Sequence, residues 1–158
     1  MKIREQLKQN HSQAYVWALQ CCNFDEELAK DVLQDTYLKI LEQKARFQGR
    51  SAFKTWLFAV IRNTSSDHFK TIQKHQEMLT SIQPQLNEQE DEPKAQTTVA
   101  NVHRILQTLA PRQREVVTLV FYHELTIQEA ADIMKISVGS ARQHYDRGKK
   151  ALKKQFNK

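Results

Sequence analysis

Apolar residues recur along most of this chain at intervals of three and four, the period of a helix that buries one face. The spacing is strictest from Phe53, where Phe53, Trp56, Leu57, Val60 and Ile61 stand at i, i+3, i+4, i+7 and i+8 of a helix starting near Ser51. The polar cluster Arg62-Asn63-Thr64-Ser65-Ser66-Asp67 that follows predicts a break and a cap for another helix, through Phe69 and Ile72 to about Glu77. Upstream, Asn23 with Glu26 three residues on has the spacing of a helix N-terminus. Leu28, Val32, Tyr37, Ile40 and Leu41 then return to about one face as far as Glu42. The opposite face presents Asp31, Gln34, Asp35 and Lys39, by spacing alone a solvated surface. An earlier helix is expected over residues 13–22.

In the second half, Val102, Ile105, Leu106 and Leu109 share a helical face that ends at Ala110-Pro111. The proline falls in the first turn of the next helix, which runs to about Tyr122. Thr126-Ile127-Gln128-Glu129 has the spacing of a capping box and opens a short helix burying Ala130, Ala131, Ile133 and Met134. After a turn through Lys135 and Ile136, Ser137 caps a last helix, with Ala141, Tyr145, Gly148 and Leu152 inward and Arg142, Gln143, His144, Arg147 and Lys149 outward. Between the halves, residues 81–98 hold Pro84, Pro93, Glu88, Glu90, Asp91 and Glu92 and almost no large apolar residue, the composition of a flexible linker. The chain therefore reads as all-α, with two small helical domains at residues 1–78 and 99–158 joined by an acidic linker at 79–98.

Composition sharpens this picture. Three glycines and three prolines are too few for the turns of a β-sandwich. The net charge of +6 is unevenly spread: residues 81–100 carry one basic and four acidic side chains, residues 101–158 eleven and five. From Arg142 onward seven Lys or Arg face only Asp146, which suits a polyanion such as DNA as well as it suits a solvated lysine-rich helix. No apolar run approaches the roughly 20 residues of a membrane span, and Met1-Lys2-Ile3-Arg4-Glu5 lacks the apolar core of a signal peptide. A cytoplasmic protein without membrane insertion is expected. Cys21 and Cys22 are adjacent, and such a pair builds neither a disulfide framework nor a metal site without other ligands nearby. Phosphate loops, H-E-x-x-H, G-x-S-x-G and clustered histidines are all missing, and His123-Glu124 reads as a helix end, so no catalytic, metal or cofactor site is expected.

Two helices joined by a tight turn, the first short with small residues inside and the second basic outside, form a helix-turn-helix pattern. Small side chains such as Ala131 and Ala141 let the helices approach, so the second projects far enough to enter a major groove. Ser140, Gln143 and His144 in its first two turns offer groups for base edges, while Lys149 and the later lysines suit phosphates. Arg142 and Arg147 complete this outward set.

Longer motifs carry a resemblance. Asp31-Val-Leu-Gln34-Asp35-Thr-Tyr37 resembles the D-x-x-Q-[DE]-x-[FY] signature of region 2 of bacterial RNA polymerase sigma factors. Phe47-Gln-Gly49-Arg-Ser51-Ala-Phe53-Lys-Thr55-Trp56-Leu57, continuing to Arg62-Asn63, is similar to the same family's F-x-G-x-S-x-F-x-T-W-L...R-N stretch. Leu109 to Val116 and Thr126 to Leu152 resemble region 4, including I-S-V-G-S at Ile136 to Ser140. The match covers nearly the whole chain and leaves out the extra regions of housekeeping sigma factors, which narrows it to the extracytoplasmic-function group.

The resemblance implies a transcription initiation factor. Asp31, Gln34, Asp35 and Lys39 are then expected to grip the β′ clamp helices of core polymerase, with the β flap as a further contact. Lys54, Arg62, Asn63, Asp67, His68 and Lys70 are expected at the minus-ten element, where opened strands want cationic tracking of phosphates and pockets for flipped bases. Phe58, off the apolar stripe, is a candidate for base stacking or for packing on a neighbouring helix. Ser140, Arg142, Gln143, His144, Arg147 and Lys149 are expected at the minus-thirty-five element, and an anti-sigma factor is implied as a partner besides promoter DNA. Three residues depart from the pattern: Lys135 stands where such turns commonly have glycine, and His144 and Asp146 replace residues that are more often basic or polar. A helix-turn-helix regulator that never touches polymerase is the competing reading, and Asp31, Gln34 and Asp35 are the residues that discriminate.

Overall fold

The computed structural model describes residues 2–80 and 104–156, and among these there is no strand. The chain divides into two compact units, Met1–Pro84 and Gln85–Lys158. The expected linker lies outside the described residues, except that Leu79 and Thr80 belong to the last helix of the first unit.

The first unit comprises α1 (Ile3–Gln9), α2 (His11–Cys21), α3 (Glu26–Leu41) and α4 (Phe53–Thr80). Helices α2, α3 and α4 pack on one another. Ala14, Trp17 and Ala18 meet Ala29, Val32, Leu33 and Ile40 and, from α4, Leu57, Phe58 and Ile61 in the buried centre. Because α4 has two partners, its buried arc is broader than the strict stripe. Phe58 is wholly buried, stacked on Trp17 at 5.4 Å between ring centroids, while Trp56 and Val60 are only half-buried. Phe58 is therefore core and not a base-stacking residue. On α3, Leu41 is exposed where the sequence places it on the apolar face, and Thr36 is buried in its stead, its hydroxyl donating to the Val32 carbonyl at 2.8 Å.

Two local expectations are corrected. Helix α4 runs unbroken through residues 62–67, because the polar groups there are satisfied without leaving the helix. Thr64 and Ser65 are buried, the Thr64 hydroxyl donating to the Val60 carbonyl at 2.8 Å and that of Ser65 to the Cys21 carbonyl at 3.4 Å. The N-cap of α3 is Asp25, whose carboxylate accepts from the Leu28 amide at 3.1 Å. Asn23 instead takes a left-handed conformation, as does Phe24, with φ of 53° and 63°. The two make the turn after α2, closed by the Phe24 amide donating to the Leu19 carbonyl at 2.7 Å.

In the second unit residues 104–107 are helical and Leu109 is buried; Val102 lies outside the described residues. Then come α5 (Pro111–Val117), a π-helical turn (Thr118–Tyr122), α6 (Ile127–Met134) and α7 (Val138–Phe156). The helix to Tyr122 is thus present, but its last turn is wound wide. The capping box at Thr126 is complete, with both reciprocal bonds to Glu129 at 3.1 Å. Lys135 takes the left-handed conformation that the missing glycine would have taken freely, with φ 58° and ψ 43°. The Ser137 hydroxyl accepts from the Ser140 amide at 3.1 Å and so caps α7.

Gly148 sets the distance between α7 and α5. A Cβ at this position would stand 2.8 Å from Val117 Cγ2 and 3.4 Å from Gln113 Cβ. Overpacking of this kind costs about 1–3 kcal/mol, more than the roughly 1 kcal/mol that alanine gains over glycine inside a helix. Gly148→Ala is expected to lower the melting temperature of the second unit in thermal denaturation followed by circular dichroism. An unchanged or higher melting temperature would show that Val117 repacks without cost.

Candidate polymerase and nucleic-acid interfaces

Helix α3 presents Asp31 and Gln34 on its exposed side, one turn apart. Asp35 and Lys39, expected beside them, turn towards α4. Asp35 Oδ2 lies 2.7 Å from His68 Nε2. The Lys39 ammonium donates to Thr64 Oγ1 at 3.2 Å and stands 3.7 Å from Asp67 Oδ2. The residues expected at polymerase and those expected at the minus-ten element are thus joined along one seam.

On α4, Asn63, Asp67 and Lys70 follow at i, i+4 and i+7 along an exposed face, with His68 half-buried at its edge. Arg62 is half-buried on the neighbouring side. Lys54 lies more than two turns upstream, its ammonium 5.6 Å from the centre of the Phe58 ring. At the start of α4, Phe53 and Trp56 form an aromatic cluster with Phe47 of the preceding loop, with ring centroids 5.4–5.5 Å apart. Gly49 in the preceding loop has φ +73° with open space where a Cβ would be, so backbone conformation and not crowding asks for glycine.

On α7 the outward residues separate into two flanks. Ser140, Gln143, His144 and Arg147 share one side at helical spacing, whereas Arg142 and Lys149 lie on another, seven residues apart. Gln143, Arg142, Arg147 and Lys149 are exposed and His144 half-buried. Ser140 is partly committed to the helix start, its hydroxyl 3.0 Å from that of Ser137. The Lys149 ammonium sits 4.6 Å above the Tyr145 ring, which stacks on Phe121 at 5.7 Å. Phe121 and Tyr122 are 59% and 61% exposed, and no sequence motif singled them out. The available signal was the run Leu119-Val120-Phe121-Tyr122, too long for a single helical face.

Among the described residues no group of His, Cys, Asp and Glu stands close enough together to hold a metal ion, and no helix is long and apolar enough to cross a membrane. Cys22 is buried, and burial pushes its thiol upward against the opposing pull of the Ser65 hydroxyl 3.9 Å away, which makes it a poor nucleophile. Tyr37, the last residue of the α3 signature, has its hydroxyl 2.8 Å from His11 Nδ1, and burial pushes it up to about 12.

The profile of Sigma-70 region 2 matches residues 7–75 and that of Sigma-70 region 4 matches residues 100–152. The ECF RNA polymerase sigma factor SigX of Bacillus subtilis is 30% identical over 138 residues, covering 82% of this chain and 71% of SigX. The chain belongs to the extracytoplasmic-function sigma factors of RNA polymerase. SigC of Mycobacterium tuberculosis, another ECF RNA polymerase sigma factor, is 26% identical over 142 residues, covering 89% of this chain and 77% of its own length. The sigma factor RpoE in its complex with the anti-sigma factor NepR, from Bartonella quintana, shares the fold at a TM-score of 0.77 and 20% identity, over 98% of this chain and 96% of RpoE. This sigma factor is accordingly a transcription initiation factor that directs RNA polymerase to promoters.

Tyr37 reports on the packing beneath the region 2 signature. In an alkaline titration followed by phenolate absorbance, one of the four tyrosines should ionise at about 12 instead of the ordinary 10. Because the folded value is raised, its contribution to stability is full below pH 10 and is lost as the pH rises towards 12. Loss of the late-titrating phenol in the Tyr37→Phe protein would assign it; four phenols that all titrate near 10 would mean that this site is open to water.

Proposed function

We propose that this sigma factor docks on the β′ clamp helices of core polymerase through α3, with Asp31 and Gln34 as the contacting side chains. The observation that carries this reading is their exposure on one side of α3, while the neighbouring Asp35 and Lys39 turn to α4. Lys54, Arg62, Asn63, Asp67, His68 and Lys70 of α4 serve the minus-ten element: the cations follow phosphates, and the polar side chains receive displaced bases. Gln143, His144 and Arg147 of α7 read the minus-thirty-five element from the major groove, assisted by Ser140 where the cap leaves it free, while Arg142 and Lys149 hold phosphates.

The functional division follows residues 1–78 and 99–158, with the acidic segment 79–98 between them. The β flap is a further polymerase contact. An anti-sigma factor is a second partner, supported by the RpoE relative in fold, which was captured with the anti-sigma factor NepR. The protein works in the cytoplasm as a binding factor without an active site of its own. Sequencing the transcripts started on genomic DNA by the purified protein with core polymerase would identify its promoters; a protein that starts none overturns the reading.

Replacing Asp31 and Gln34 together by alanine should abolish transcription and capture of core polymerase, yet leave the helical circular dichroism spectrum unchanged, because both side chains are exposed. Undiminished capture would remove α3 from the polymerase interface.

For α7, binding of a small library of minus-thirty-five duplexes should be measured at two salt concentrations. Gln143→Ala or His144→Ala should re-rank the library by roughly 1–3 kcal/mol per lost bidentate contact. Replacing Lys149 and Lys153 should weaken all duplexes alike and flatten the salt dependence. The opposite pattern would mean that α7 lies in the groove in another orientation.

A further inference from the structure

The seam between α3 and α4 lies where the two proposed interfaces of the first unit meet. Asp35 and Lys39 are one turn apart on α3, and their partners Thr64, Asp67 and His68 occupy one turn of α4. The side chains of Asp35 and His68 are 50% and 26% exposed, those of Lys39 and Asp67 36% and 65%. Pairs so accessible to water add little to stability. What they supply is direction. Lys39 donates a hydrogen bond to the hydroxyl of Thr64, a residue that is itself buried, so one end of the seam is anchored in the core. At the other end, the imidazole of His68 has one nitrogen held by Asp35, which fixes the plane of the ring.

The position of the seam along α4 matters as much as its chemistry. Every residue from Phe69 to Leu79 is exposed, whereas Ile61, Thr64 and Ser65 are buried. The seam is therefore the last level at which the buried surface of the bundle reaches α4. The angle at which the remaining turns leave the bundle is set there, and with it the placement of Asp67, His68 and Lys70 relative to Asp31 and Gln34 on α3.

We infer that Asp35 is a positioning residue for the minus-ten face and not a polymerase contact: through His68, with Lys39 acting on Asp67 beside it, it aligns the strand-opening turns of α4 to the docking surface of α3. The inference rests on the proposed roles of α3 and α4 and adds how the two are kept in register. Its chemistry is ordinary. A carboxylate oxygen accepting from an imidazole at 2.7 Å is occupied, and a cation placed one turn along the helix keeps the next carboxylate from drifting.

The test separates docking from opening. Full-length Asp35→Ala, His68→Ala and the double variant are compared with the parent for core polymerase affinity. Opening is read as permanganate reactivity of unpaired thymines, on a promoter fragment recovered from the transcript sequencing. Asp35→Ala should bind core polymerase within about twofold of the parent but open the promoter about fivefold more slowly, a factor within reach of one half-exposed hydrogen bond. The double variant should be no slower than His68→Ala alone, since both changes remove one interaction. Hydrogen exchange of the amides of residues 66–79 should quicken in Asp35→Ala while that of α2 stays unchanged, which distinguishes a released α4 from a damaged bundle.

An additive defect in the double variant, or unchanged exchange over residues 66–79, overturns the inference. So does a loss of core affinity in Asp35→Ala as large as that of the protein with Asp31 and Gln34 both replaced by alanine, which would make Asp35 a contact and leave the proposed docking of α3 intact. A parent protein that neither binds core polymerase nor starts transcripts overturns the proposed function itself.

Discussion

The Trp17 ring lies flat against Phe58, and its indole N–H donates to the Phe58 main-chain carbonyl at 3.1 Å. This pair fixes two degrees of freedom at once. Face-to-face contact of the rings sets the rotation of α4 about its axis, and the bond to a carbonyl sets its height along α2. A purely apolar contact would have left the height to slide by a turn, since one stack of leucines resembles the next. With the rotation set, Leu57 and Ile61 fall into the centre and Asn63, Asp67 and Lys70 fall outside. The candidate DNA face of the first unit is thus a consequence of one buried tryptophan on the helix packed directly behind it.

The two halves of the molecule were unequally legible from sequence, and the reason is the range over which their determinants act. In the helix-turn-helix, the capping box at Thr126, the left-handed Lys135 and the cap at Ser137 are all decided within three or four residues, and reading along the chain finds them. In the first unit the decisive partners are distant. Thr64 and Ser65 read as a helix break because their hydroxyls compete with the backbone, and only the neighbouring Cys21 carbonyl and Lys39 reveal that they are satisfied inside an intact helix. Phe58 looked unassigned because a helix packed between two others buries more than one stripe.

The same distinction governs the candidate interfaces. Periodicity brought Asp31 and Gln34 to the surface of α3 and grouped Gln143 with His144 and Arg147 on α7, because those relations lie within one helix. It could not tell that Asp35 and Lys39, on the same polar face, belong to α4 and not to solvent. Their partners lie 25–33 residues further along the chain. Nor did any local signal separate Asn23 from Asp25 as the cap of α3, two residues of similar capping chemistry, of which Asn23 is drawn into the left-handed turn instead. The family resemblance supplied roles for these surfaces, and the packing distributes the individual side chains among them.

The π-helical turn from Thr118 to Tyr122 gives the second unit an uneven tolerance to changes in chain length. A π turn accommodates one residue more than α-helical winding over the same rise, so a deletion between Leu119 and Tyr122 has somewhere to go: the turn tightens to α and the helix ends as before. Helix α7 holds no such slack. One residue removed between Ser137 and Gln143 would rotate Gln143, His144 and Arg147, and Gly148 with them, by about 100° relative to the helix start at Ser137, and either the contact of Gly148 with Val117 or the outward face would have to be given up. Insertions and deletions among close relatives of this sigma factor should therefore collect at the wide turn and avoid the start of the last helix.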